Sequence, residues 1–287
     1  MELKWIAQRE GRLSSFLRGE LRMSASLVNK LKWAGKLRVD GVQQRTNFVV
    51  LPGSVITVEL DEEEPEYPPQ EDTLSVIYED TCLLAVDKPA GMLAHPSRAR
   101  NEGTLANFVC GYYRKTGQKS AFHPLTRLDR DTFGIVLLAK NSHVHTLLQE
   151  AGVRKTYHAL TFGGPEAEAG VIDAPIARKP LPSLLREVRP DGKPSVTEYR
   201  VLERKGRICR LELRPVTGRT HQLRVHCAYM GFPILGDPQY GSPESQAFSE
   251  ELGLESQILC AKRLEFVHPF TGEAMTLESR MDAEWKR

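Results

Sequence analysis

The apolar positions of the first sixty residues follow a helical period and then an alternating one. Leu13, Phe16 and Leu17 recur at helical spacing and predict a helix over 12–20. Leu27, Val28, Leu31 and Ala34 predict a second helix, capped at Ser24 or Ser26 and stopped at Gly35. In LRVDGVQ an Asp40-Gly41 turn separates two short strands, and LPGSVITVEL ends with Ile56, Val58 and Leu60 alternating against Thr57 and Glu59. Together these predict a small α/β unit. Beyond residue 73, LSVIYED and CLLAVDKPAG read as two strands, and Ile135 to Ala139 as a buried one. RKTYHALTFGG predicts a strand with Tyr157, Ala159 and Thr161 on one face. In LRPVTGRTHQLRVH, Leu223 and Val225 suggest alternating burial around Arg224.

Charge divides the chain at the same places. Residues 1–60 carry ten Lys/Arg against five Asp/Glu, whereas DEEEPEYPPQEDT holds seven acids, no base and three prolines. The remainder is mildly basic. The expected organisation is a small basic unit (1–60), an acidic Pro-rich linker (61–73) and a large body (74–287). MELKWIAQRE is charged throughout, so no secretory signal is expected. Apolar runs reach about six residues, against the roughly 20 of a membrane helix, so no membrane partner is expected. Five cysteines at wide spacing suit neither a disulfide framework nor a C-x-x-C zinc site, and point to a reducing cytoplasm.

The densest chemistry lies in TRLDRDTFGIVLLAK (126–140), where Arg127, Asp129, Arg130 and Asp131 directly precede an apolar strand. In an extended segment Arg127 and Asp129 share a face, with Leu128 turned away. A carboxylate at the mouth of a buried strand has to be hydrogen-bonded or charge-paired. There is no G-x-S-x-G elbow, no Walker loop and no dinucleotide G-x-G-x-x-G. His221 and His226 stand five apart without the acid of H-E-x-x-H, so no metal site is expected.

The chain resembles the RluA-type pseudouridine synthases through six stretches in order: VDKPAG (86–91), RLDRDTFG (127–134), KTYHAL (155–160), TGRTHQLRVH (217–226), GDPQYG (236–241) and LCAKRLEFVHP (259–269). Three departures stand out: Thr126 where the family has His, Phe133 where it has Ser, and Cys260 where it has His. The fold this implies is α+β, a large, mostly antiparallel mixed sheet with flanking helices and an RNA cleft across it. The resemblance implies that Asp129 is the reacting carboxylate, that Arg224 pairs with it, and that Tyr157 stacks on the flipped uracil. It also implies that Leu259 supplies an apolar floor, and that Arg127 fills the gap left by the flipped nucleotide or holds its phosphate. Arg130 and Asp131 are expected to stabilise the loop. Isomerisation neither oxidises nor adds anything, so no cofactor is expected. Residues 12–60 resemble the S-four-like RNA-binding module, whose second helix would lay Lys30, Lys32 and Lys36 along RNA phosphates. The expected partner is RNA, ribosomal rather than transfer RNA, free or in an assembling large subunit, with the chain acting as a monomer. The acidic linker is expected to tether the small unit flexibly and to stay off the RNA. Three alternatives remain: the same reaction on transfer RNA, an inactive RNA-binding assembly factor, and a glycosidic hydrolase using Asp131 or Asp237 as a second acid.

Overall fold

The computed structural model describes residues 1–71, 73–97 and 100–284. Asp72 of the acidic linker, and residues 98–99 and 285–287 of the body, lie outside the described residues. The amino-terminal segment runs β1 (Glu2–Ile6), β2 (Gly11–Arg12), α1 (Leu13–Gly19), α2 (Ala25–Trp33), β3 (Leu37–Val39), β4 (Val42–Gln43), β5 (Val49–Val50) and β6 (Val55–Glu59). α1 buries Leu13, Phe16 and Leu17. Ser24 caps α2 by accepting from the Leu27 N–H at 3.1 Å. Val28 and Leu31 are buried, but Ala34, expected to face inward, is exposed at the helix end. Asp40 and Gly41 both have positive φ (51° and 80°), the backbone of a tight hairpin turn between β3 and β4. These strands lie in a four-stranded sheet of order β1-β6-β3-β4.

The body continues with β7 (Ser75–Glu79), β8 (Leu83–Lys88), α3 (Leu105–Lys115), β9 (His123–Pro124), β10 (Phe133–Ala139), α4 (Ser142–Ala151), β11 (Arg154–Phe162) and β12 (Ala169–Asp173). Next come β13 (Ile176–Arg178), β14 (Arg186–Val188), β15 (Val196–Lys205), β16 (Ile208–Pro215), α5 (Gln222–Tyr229), α6 (Pro243–Glu251), β17 (Leu259–Val267) and β18 (Ala274–Glu278). The main sheet has ten strands, in the order β12-β15-β16-β11-β17-β10-β8-β7, with β18 on β17 and β9 on β10. β10 and β17 run parallel, and the other pairs are antiparallel. The architecture is α+β, a mostly antiparallel mixed sheet with helices beside it. β10 is buried from Gly134 to Ala139 because both faces are covered, which explains its unbroken apolar run.

Two sequence readings need correction. Residues 222–229 form a helix, not an alternating strand, and every residue from Gln222 to Cys227 is buried. With all sides covered, the apolar pattern carries no helical period. The acidic linker is also not a free tether. Glu63 accepts from Ser142 N and Oγ at 3.1 and 2.7 Å and pairs with His123, and Lys119 reaches Glu62 at 2.9 Å. Asn107 Nδ2 donates to Pro68 O at 2.9 Å. A Cβ at Gly111 of α3 would fall 1.8 Å from Gln70 O, so the missing side chain is what lets the connector lie against the helix. The buried apolar side chains of residues 1–60 continue into those of the body as one cluster.

Candidate active site

The charges of RLDRD sit in the loop leading into β10, with Arg130 and Asp131 in a turn closed by Thr132 N–H donating to Asp129 O at 3.2 Å. Leu128 points into the core while Arg127 is exposed and Asp129 is half-buried, as their spacing predicts. Arg130 engages its neighbour Asp131 through two bonds of 2.9 and 2.8 Å, which makes the pair a local brace. Beneath the loop lies Lys88, fully buried at the end of β8. Its ammonium donates to Pro89 O, Met92 O and Arg130 O at 3.0, 2.8 and 2.8 Å, tying the KPAG turn to the residue after Asp129. Burial lowers the Lys88 pKa to about 8, against the opposing pull of the Asp131 and Asp129 carboxylates.

Asp129 is met by Arg224, from the buried first turns of α5. Arg224 Nη1 donates to Asp129 Oδ2 at 3.2 Å. Its Nε and Nη2 donate to the two oxygens of Asp237 at 2.7 and 2.8 Å, and Nη2 also reaches Gln239 Oε1 at 2.8 Å. The guanidinium lies over the Tyr240 ring, 4.9 Å from its centroid. Asp237 is itself fixed by the N–H groups of Gln239 and Tyr240. The GDPQYG turn thus holds the arginine that faces Asp129. A bidentate carboxylate on one edge of the guanidinium leaves the other edge for Asp129.

The remaining candidates lie on neighbouring strands. Tyr157 of β11 stands opposite Ala261 of β17, and Leu259, where β17 begins, stands opposite Ala159. Both are nearly buried. Burial pushes the Tyr157 phenol well above its ordinary pKa, with the Asp129 charge adding to the shift, so the hydroxyl stays protonated. Arg127 is near His95, whose pKa is lowered by burial first and then by the Arg127 charge. The parallel pairing of Phe133 with Cys260 and Gly134 with Ala261 sets the loop before β10 beside the start of β17.

Two of the three departures from the family pattern, Thr126 and Phe133, have structural explanations. Thr126 is buried and its Oγ1 accepts from Leu137 N at 3.1 Å. Phe133 packs against the cluster of Leu160, Ile208, Leu235 and Cys260. Both roles are internal to the sheet and its edge. His226 is no metal ligand: Nε2–H donates to Ala174 O and Nδ1 accepts from Thr197, each at 2.9 Å. The lysines of the small unit have no contact with this centre. Lys30 and Lys36 both bind Asp61, at 2.6 and 2.7 Å, and Lys32 lies over the exposed Trp33 ring. Sequence reasoning did not single out Lys88, Gln239 and Tyr240 as parts of the site, and named Asp237 only as a second acid in the hydrolase alternative. The signal was there in VDKPAG and GDPQYG, but which group each residue meets depends on tertiary contacts.

An arginine-held carboxylate beside a buried tyrosine and an apolar strand start can stabilise a flipped base and present an anion to its sugar. Residues 82–229 match the family described as RNA pseudouridylate synthase. The chain is 34% identical to ribosomal large subunit pseudouridine synthase C of Vibrio cholerae, over 95% of this chain and 90% of that one. Ribosomal large subunit pseudouridine synthase D of Pseudomonas aeruginosa is 35% identical, over 88% and 82%. Among solved structures, human RNA pseudouridylate synthase domain containing 1 superposes with a TM-score of 0.60 at 25% identity, covering 75% of this chain and 86% of that one. No helix among the described residues is long and apolar enough to cross a membrane. With the six ordered motifs and this fold, the chain belongs to the RluA-type family of RNA pseudouridine synthases, isomerases that convert uridine in RNA to pseudouridine.

Proposed function

We propose that this synthase modifies specific uridines of large-subunit ribosomal RNA, with Asp129 as the reacting carboxylate. The observation that carries the reading is the Arg224–Asp129 pair, set beside Tyr157 and Leu259 at the mouth of β10 and β17. The reaction breaks the bond from ribose to nitrogen 1 of uracil, turns the base and rejoins it through carbon 5. The Asp129 anion acts at the ribose, as nucleophile or as base. At an effective dielectric near 20, opposite unit charges about 4 Å apart attract by roughly 4 kcal/mol, enough for Arg224 to keep the anion in place. Tyr157 stacks on the extracted base, which returns about 1–3 kcal/mol of the unstacking cost. Leu259 forms the apolar floor, and the exposed Arg127 takes the gap or the phosphate. No cofactor takes part, since nothing is oxidised or added.

The names of the Vibrio and Pseudomonas relatives favour large-subunit ribosomal RNA over transfer RNA. Residues 1–60 act as an S-four-like RNA-binding unit, with Lys30, Lys32 and Lys36 toward phosphate, joined through 61–73 to a catalytic body of 74–287. The chain works as a cytoplasmic monomer on free RNA or an assembling subunit, and its five free, buried thiols suit a reducing compartment. The hydrolase alternative needs a second free acid. Asp237 gives both oxygens to Arg224, and Asp131 is held by Arg130, so neither is free.

The test is tritium release from RNA labelled at carbon 5 of uridine, made as total RNA from cells lacking this protein. Release by the wild type, lost in Asp129→Asn and without free uracil, is the expected result. Equal release by both proteins would remove Asp129 from the mechanism. Release confined to the transfer RNA fraction would overturn the ribosomal assignment.

A further inference from the structure

His221 sits at the entry to α5 in left-handed backbone (φ 58°, ψ 18°), a conformation histidine adopts at a cost. Strain of this kind persists where the surroundings fix it, and here they do. The Tyr240 hydroxyl accepts from the backbone N–H of Arg186 at 2.9 Å and lies 2.8 Å from His221 Nδ1. With the Arg186 N–H already directed at its oxygen, the phenol has its own proton to give to Nδ1. The imidazole then carries its hydrogen on Nε2. That nitrogen is 3.8 Å from Asp129 Oδ2, the same oxygen that accepts from Arg224. The charged groups around the ring are Asp129, Arg224, Arg186 and Asp237, and burial outweighs them in keeping the imidazole neutral.

Arg224 commits Nε and Nη2 to Asp237 and Gln239, leaving Asp129 a single donor among the described residues, at 3.2 Å. The Asp129 side chain is 33% exposed, so one bond leaves its orientation underdetermined. We propose that His221 is a positioning residue, held by Tyr240 as its Nε2–H tautomer, and that it supplies the second donor that fixes Asp129 toward the ribose. The 3.8 Å separation shortens to a hydrogen bond when RNA closes the cleft, as site contacts commonly tighten in the substrate complex. Through the Arg186 N–H, Tyr240 also ties the ring to the β13–β14 hairpin, so displacement of that hairpin reaches Asp129. The proposal rests on the reading of Asp129 as the reacting carboxylate.

Single-turnover tritium release and RNA binding by filter retention are measured for the wild type, Asp129→Asn, His221→Asn, His221→Gln and Tyr240→Phe. Asparagine tolerates left-handed backbone, so His221→Asn keeps the turn while removing the Nε2 donor. A misplaced reacting group costs on the order of 100-fold, and a loss of about that size is expected for His221→Asn with RNA affinity unchanged. His221→Gln, with an amide N–H near the Nε2 position, recovers most of the rate. Tyr240→Phe falls in the same direction, and combined with His221→Asn gives no further loss. A wild-type rate for His221→Asn beside an inactive Asp129→Asn overturns the proposal alone, as does a loss that lies wholly in binding. Should His221→Asn fail to fold, Tyr240→Phe decides: a wild-type rate overturns the proposal, and a reduced rate at unchanged binding supports it. An active Asp129→Asn instead overturns the reading beneath it.

Discussion

In RTHQLRVH three of the eight residues, His221, Arg224 and His226, have separate polar roles on one short helix and its entry. His226 shows how a buried histidine couples stability to pH. Burial lowers its pKa below the ordinary value near 6.5, while its bond to Ala174 O pulls the other way. The unfolded chain therefore takes up a proton that the native state resists. The contribution is fully present above about pH 6.5 and is lost as pH falls through the native pKa. His226→Gln should narrow the gap in urea midpoint between pH 7 and pH 5, and parallel midpoints in the two proteins would sink this account. Lys88 is the second case. Its replacement by Met leaves Pro89 O, Met92 O and Arg130 O without that donor, partly offset by no longer burying a cation. Lys88→Met should lose about 2 kcal/mol in urea unfolding, with reduced turnover from a loosened Asp129 loop. An unchanged midpoint would mean that other donors replace the ammonium.

At the scale of the elements, the site depends on one parallel strand pair in a mostly antiparallel sheet. Gly134 stands opposite Ala261 with φ 109°, and a Cβ there would lie 2.3 Å from Ala261 O. Its conformation and the close approach both require glycine. Gly134→Ala should cost about 3 kcal/mol or more and move the 127–132 loop away from Leu259. Thermal unfolding together with tritium release checks this, and wild-type values for both would show that β10 and β17 part without consequence. α5 contributes in another way. It presents Arg224 from a buried turn, so the guanidinium is held by Asp237 and Gln239 before any substrate arrives.

At the scale of the whole molecule, the acidic connector joins two surfaces. Asp61 occupies Lys30 and Lys36, and these bonds draw its pKa down to about 2, the Lys30 bond having the larger effect. Glu62 and Glu63 meet Lys119, His123 and the start of α4, while Arg22 reaches Glu150 of that helix at 3.2 Å. Any RNA phosphate approaching Lys30 and Lys36 competes with Asp61. Asp61→Asn should tighten RNA binding and steepen its logarithmic salt dependence by roughly 1 to 2, the count of released lysines. Binding isotherms over a range of salt concentrations test this, and an unchanged slope would remove Lys30 and Lys36 from the RNA face.

The sequence by itself determined the element types where a segment has one buried and one wet face, or is a short apolar run bounded by turn signals, as β8 and β10 are. α1, most of α2, the Asp40-Gly41 hairpin, and strands β7, β8, β10 and β11 all follow from period and turn chemistry. The charged loop before β10 was legible too, because four charges beside an apolar strand have to be paired or placed at a surface. Only the tertiary structure decided that LRVH is helical, since burial on every side erases the period that distinguishes helix from strand. Tertiary contacts also decided the partners: Asp237 for Arg224, the loop carbonyls for Lys88, Asp61 for two lysines of α2, and the packed course of the connector. These bonds join residues as far apart as Glu63 and Ser142. Such pairings are set by how the sheet and helices pack, and no local pattern of residues records them.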